Sequence, residues 1–128
     1  MKRMSRILMV GAAATLAFDL QVARAQEIPP ACAQYQHAFD ACYGDALRFL
    51  DLTDPASAEK LREMKKTQDI APSIRQKIRE VGALKTAEIC AAPQFKESVL
   101  KHMVDIVTPI AMARGDTQAC QSAISAIQ

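Results

Sequence analysis

Residues 32–49 read CAQYQHAFDACYGDALRF, and this stretch decides the fold. Its apolar and small side chains recur at alternating intervals of three and four residues. Because an α-helix has about 3.6 residues per turn, this spacing places them on one side of a helix. The stripe consists of Cys32, Tyr35, Phe39, Cys42, Ala46 and Phe49. The sequence therefore predicts one continuous amphipathic helix that turns two cysteines towards the core.

The chain that follows predicts further helices and no strand. The pair Asp54-Pro55 is typical of a helix start, and a second helix is expected over 55–69. A third is expected over 72–91, burying Val81 and Leu84, although Gly82 is a weak point within it. A fourth helix should begin at residue 93, and a short last one should follow residue 115. Short connections favour antiparallel neighbours. The predicted fold is all-α, a single small bundle of four to five helices stapled by two disulfides.

The first 25 residues, MKRMSRILMVGAAATLAFDLQVARA, follow the pattern of a secretory signal. Three basic side chains precede a largely apolar run over 7–18, and Ala23-Arg24-Ala25 supplies the small-x-small cleavage pattern. We expect 1–25 to be a cleaved signal peptide and 26–128 to be the disulfide-stabilised helical domain, located in the periplasm or secreted. The segment removed carries four bases and one acid, so the net charge of +2 falls to −1. No later segment has the length of a membrane span.

The four cysteines predict two disulfides, because an exported chain meets an oxidising compartment. Their gaps of 9, 47 and 29 residues lack the close pairs that zinc sites use. Cys32 and Cys42 are ten positions apart on one helix, or about 15 Å, which is too far for a bond. Tracing antiparallel helices favours Cys42–Cys90 with Cys32–Cys120 over Cys32–Cys90 with Cys42–Cys120. The second pairing remains open.

Residues with recognisable chemistry are few. The two histidines begin the same pattern, His37-x-x-Asp40 and His102-x-x-Asp105. Residues three apart share a helix face, so two such pairs could together form a four-ligand metal site or an enzymatic site in a bundle. The pattern arises easily by chance, however, and two solvated surface pairs are the favoured interpretation. We therefore assign no catalytic residue, no metal ligand and no cofactor from the sequence.

A basic segment is the other candidate site. Residues 57–86 carry eight bases and four acids, whereas 26–56 carry one base and five acids. We take Arg62, Lys65, Lys66, Arg75 and Arg79 as a possible binding face. Interleaved acids at i,i+3 also allow a solvated helix surface with no partner. Nucleic acid is not expected, because this segment lacks aromatic side chains for stacking.

These observations favour an exported, non-catalytic helical protein that acts by binding a protein partner in the cell envelope, as an inhibitor or immunity-like protein does. A periplasmic acid-stress chaperone and a metal-binding or enzymatic bundle are the alternatives. In layout alone, the chain is similar to small periplasmic acid-stress chaperones and to immunity proteins of type VI secretion systems. Leu, Ile, Val and Phe make up only 22 of residues 26–128, so a homodimer could complete the core.

Overall fold

Six helices and no strand make up residues 27–128, the part of the chain that the computed structural model describes. The signal peptide expected at 1–25 lies outside these residues. The helices are α1 (Pro30–Thr53), α2 (Pro55–Gln68), α3 (Ile70–Val81), α4 (Ala83–Ala91), α5 (Pro93–Met112) and α6 (Gln118–Ser125). The predicted small all-α bundle with two disulfides is confirmed. Within 27–128, no helix combines the length and the apolar content needed to cross a bilayer.

Helix α1 is the central element, and it contacts each of the other five helices. Five of the six side chains in its predicted stripe are completely buried, from Cys32 to Ala46, and Phe49 is half-buried. Tyr43, one position off the stripe, is buried as well. Neighbours therefore surround α1 over more than one face, which explains how a chain with so few large apolar residues closes a core.

The disulfides join Cys32 to Cys90 and Cys42 to Cys120. The exclusion of a Cys32–Cys42 bond is confirmed, but the favoured pairing of Cys42 with Cys90 is wrong. The reason lies in the direction of α3, which does not reverse after α2. Helix α2 runs back along α1, with Lys65 near Asp40, and the chain reaches the Pro29-Pro30 start of α1 by the first turn of α4, so Cys90 arrives beside Cys32.

Of the last two helices, α5 runs parallel to α1 and α6 runs antiparallel to it. Phe95, near the start of α5, packs edge-on against Tyr35 at 5.1 Å between ring centroids. Further along α5, His102 meets Tyr43, so α5 runs parallel to α1. Helix α6 returns, because the backbone N–H of Gln128 bonds Gln34 near the start of α1. The expectation of strictly antiparallel neighbours is therefore only partly met.

The expected helix over 72–91 is divided at Gly82. Gly82 has φ 88°, in the left-handed region that favours glycine, and its N–H donates to the Ile78 carbonyl to end α3. The break redirects the chain, and it leaves Val81 45% and Leu84 85% exposed. The expectation that these two side chains point into the core is wrong.

A buried carboxylate ties α6 to the middle of α1. The Asp45 side chain is completely buried, and its Oδ2 accepts the backbone N–H of Cys120 at 2.8 Å. Its other oxygen pairs with Arg48, one turn further along α1. Helix α6 has only eight residues, so this bond and the adjacent Cys42–Cys120 disulfide fix a segment that would be marginal alone.

Candidate functional site

The basic face predicted from the sequence divides into two parts, and the part on α2 is neutralised within the protein. Arg62 pairs with Asp51 of α1 at 2.6 Å, and Lys65 lies 3.5 Å from Asp40 of α1. Lys66 pairs with Glu63 on its own helix at 2.7 Å. These three cations therefore already have intramolecular partners.

Arg75 and Arg79 on α3 form the second part. Both side chains are exposed, and no carboxylate of residues 27–128 lies within ion-pair distance of either guanidinium. They are four residues apart, so they share one face of α3 with about 6 Å of rise between them. Lys77 is turned differently, and its ammonium pairs with Glu80 at 2.9 Å. Two planar cations are thus left facing solvent side by side.

Exposed aliphatic side chains follow these two arginines directly along the chain. Val81 closes α3 and Leu84 opens the first turn of α4, on either side of Gly82. We call Arg75, Arg79, Val81 and Leu84 the α3–α4 patch. A groove of about 420 Å³ runs alongside Leu84, between α4 and the Pro29-Pro30 start of α1. The patch is defined along the chain, and Arg79 and Val81, two positions apart, lie on different sides of α3. Its mixture of cations and exposed apolar side chains is the composition of many protein-binding surfaces.

The two His-x-x-Asp pairs do not form a common site. His37 is exposed, and Asp40 is used by Lys65 and by the Gln36 amide. Asp105 pairs with Lys101 at 2.7 Å. Among residues 27–128, no group of three or more His, Cys, Asp or Glu side chains is arranged to hold a metal ion.

His102 instead belongs to a cleft that the sequence patterns did not indicate. The cleft has a volume of about 360 Å³ and lies between α1, α2, α3 and α5. At its side, the Tyr43 hydroxyl lies 3.1 Å from His102 Nε2 and donates to the Gln68 amide oxygen at 3.3 Å. Burial raises the pKa of the Tyr43 hydroxyl, which keeps it protonated. With its proton donated to Gln68, the Tyr43 hydroxyl oxygen is free to accept a hydrogen bond from an Nε2–H of His102.

No sequence signal could have found this network. Tyr43 lies outside the helical stripe, and Gln68 and His102 come from helices whose relative placement depends on the whole bundle. The stacked ring of Phe39, 6.2 Å from the imidazole, completes the arrangement. The network joins three helices and therefore has a structural role whatever the cleft binds.

The fold and these surfaces define a class: a small disulfide-stabilised helical protein with one cationic and apolar patch. Comparisons with protein-family models, with curated proteins and with solved structures find no match to this chain.

Proposed function

We propose that this protein is an exported, non-catalytic binding protein that engages an acidic protein partner in the cell envelope through the α3–α4 patch. The observation that carries the proposal is the pair of arginines, Arg75 and Arg79, which face solvent without a carboxylate partner in residues 27–128. The other cations of the predicted face, on α2, are already paired.

The chemistry of the patch supports a protein ligand. Guanidinium groups bind carboxylates through two parallel hydrogen bonds, and two of them one helical turn apart can hold two acidic side chains. Leu84 is 85% exposed and Val81 is 45% exposed. Covering such side chains is favourable by about 25 cal/mol per Å² of apolar surface. An acidic partner with an apolar centre matches both features.

The disulfides support an extracytoplasmic location. Both bonds are buried and close loops of 58 and 78 residues along the chain. Bonds of this kind persist in oxidising compartments and are rare in the cytosol. The signal-like pattern at 1–25 points the same way.

The test is a pull-down from envelope extract with matched charge reversals. We expect R75E/R79E to lose the captured partner and K65E/K66E to retain it. Both variants change the net charge by the same amount on neighbouring helices, so K65E/K66E is the matched control. Thermal melting of both variants controls for folding. Equal retention by the two variants would contradict binding through the α3–α4 patch.

A companion measurement asks whether a second copy of this chain covers the patch. We expect the protein to sediment as a monomer in the absence of its partner, and Leu84→Ser to leave that state unchanged. A dimer that Leu84→Ser dissociates would mean that the patch serves self-association, which contradicts the proposed partner.

A further inference from the structure

A third cavity lies between α3 and α4, and neither arginine of the α3–α4 patch lines it. It has a volume of about 160 Å³, opens to solvent, and is lined by α3, α4 and the start of α5. Its inner wall is apolar and includes Ile74, Ile89, Phe95 and Cys90, whose sulfur is bonded to Cys32. Thr86 also lines it, but its hydroxyl donates to the Gly82 carbonyl at 2.8 Å. A wall of this kind offers water few hydrogen bonds and therefore suits an apolar group.

One cation stands at the outer edge of this pocket. Lys77 lines the pocket and is partly exposed, and its ammonium pairs with Glu80 at 2.9 Å. Such a half-exposed pair is weak and exchangeable. Glu80 also accepts a hydrogen bond from the Gln76 amide at 3.0 Å. Lys77 can therefore turn to another carboxylate without leaving Glu80 unpartnered.

We propose that this pocket binds a small free carboxylic acid, with its apolar chain or ring against Ile74 and Phe95 and its carboxylate on Lys77. The volume limits the apolar part to about six carbons, since an engineered cavity of about 150 Å³ accommodates benzene. The site is distinct from the α3–α4 patch, and it needs no protein partner. A result that contradicts carboxylate binding would therefore leave the proposed function unaffected, and a result that contradicts partner binding would leave carboxylate binding unaffected.

The test is a titration of the oxidised, isotope-labelled protein with three probes, followed by NMR. Hexanoate should shift the amide signals of Ile74, Ile89 and Phe95, with a dissociation constant of about 1 mM. Hexylammonium should bind at least about tenfold more weakly, because Lys77 repels its charge and the neighbouring Glu80 carboxylate is already paired with Lys77 and Gln76. Acetate, which lacks the apolar chain, should leave these signals in place.

The matched control for Lys77 is Lys85 on α4, which pairs with Glu88 at the same 2.9 Å and does not line the pocket. Lys77→Gln should weaken hexanoate binding by about fivefold, and Lys85→Gln should leave it unchanged. Ile89→Ala enlarges the pocket and should move the preference from hexanoate to octanoate. The proposal is overturned if hexylammonium binds as well as hexanoate, if the two lysine variants behave alike, or if no pocket signal moves.

Discussion

The loop-entropy cost of removing either disulfide should be nearly the same, although the loops they close differ in length, and native contacts of Cys120 should make the Cys42–Cys120 bond the more costly one to lose. Alone, a bond across 58 or 78 residues restricts the unfolded chain by about 4 kcal/mol in the loop-entropy model. The two loops overlap, however. With Cys32–Cys90 intact, residues 42 and 120 are joined by a path through that bond of about 40 residues, and the same path joins 32 and 90 when Cys42–Cys120 is intact. Each single removal should therefore cost about 4 kcal/mol.

The native contacts then decide which variant suffers more. Cys120 lies on the short helix α6, and its N–H is held by the buried Asp45. If α6 loosens when Cys42–Cys120 is removed, Oδ2 of that buried carboxylate loses the Cys120 N–H while Oδ1 keeps Arg48, at a further cost of about 1–3 kcal/mol. We expect C42A/C120A to be less stable than C32A/C90A by this margin.

Equilibrium unfolding in urea, followed by circular dichroism at the helix band, measures these differences. The chain has no Trp, so tryptophan fluorescence is not an option. The variant without any cysteine serves as a lower limit, since a combined loss of about 8 kcal/mol is comparable to the whole stability of a typical domain. A loss below about 1 kcal/mol for either single removal, or C32A/C90A proving the less stable variant, would refute the reasoning.

The remaining predictions concern packing, the buried carboxylate and acid. Gly115→Ala should destabilise the protein by about 1–3 kcal/mol, because the new Cβ would lie 2.5 Å from Ile110 and 2.6 Å from Phe49. Gly44→Ala places its Cβ 3.5 Å from the nearest neighbouring atom and should stabilise the protein by about 0.5–1 kcal/mol, as measured in thermal melts. Asp45→Ala should cost about 3 kcal/mol in urea unfolding and expose the Cys120 amide to hydrogen exchange, because a buried N–H loses its acceptor. Hydrogen bonds from the Ser57 hydroxyl and N–H lower the pKa of Asp54, so the unfolded state binds more protons and stability is lost as pH falls through the folded pKa. Between about pH 5 and pH 3, Asp54→Asn, which still caps α2, should therefore lose less stability than the native protein. A rigid binding protein should not bind a hydrophobic dye near pH 3, whereas dye binding there would favour the chaperone alternative.

The sequence was most informative where a helix lies at the centre of the bundle. Helix α1 is contacted by all its neighbours, so the periodicity of its buried side chains is strong and its stripe was predicted correctly. Helix α3 lies against fewer elements. The direction it takes depends on the one residue between it and α2, Asp69, whose ψ of 125° no pattern specifies. Because the disulfide pairing depends on the direction of α3, the pairing could not be predicted from the sequence.

The candidate site was only half predictable for a similar reason. Pairs three residues apart, such as Lys66 with Glu63, can be read from a helical sequence. The pairs that neutralise Arg62 and Lys65 cross from α2 to α1, over 11 and 25 positions, and depend on how the helices pack. From the sequence, all five basic residues were equally good candidates for a binding face. The packing leaves only Arg75 and Arg79 without an ion-pair partner in residues 27–128.

Counting charge by helix explains why the patch belongs to α3. Helix α1 carries three acids and one base, for a charge of −2, and α2 carries four bases and two acids, for +2. These two helices pack together and share two ion pairs between them, so their charges compensate. Helix α3 carries three bases and one acid, also +2, but no opposing carboxylate of α1 pairs with it in residues 27–128. A helix with this surplus repels cations and attracts carboxylates over about one Debye length, near 8 Å in physiological salt. The strength of partner binding should therefore fall with added salt, and R75E/R79E should fail to bind at every salt concentration.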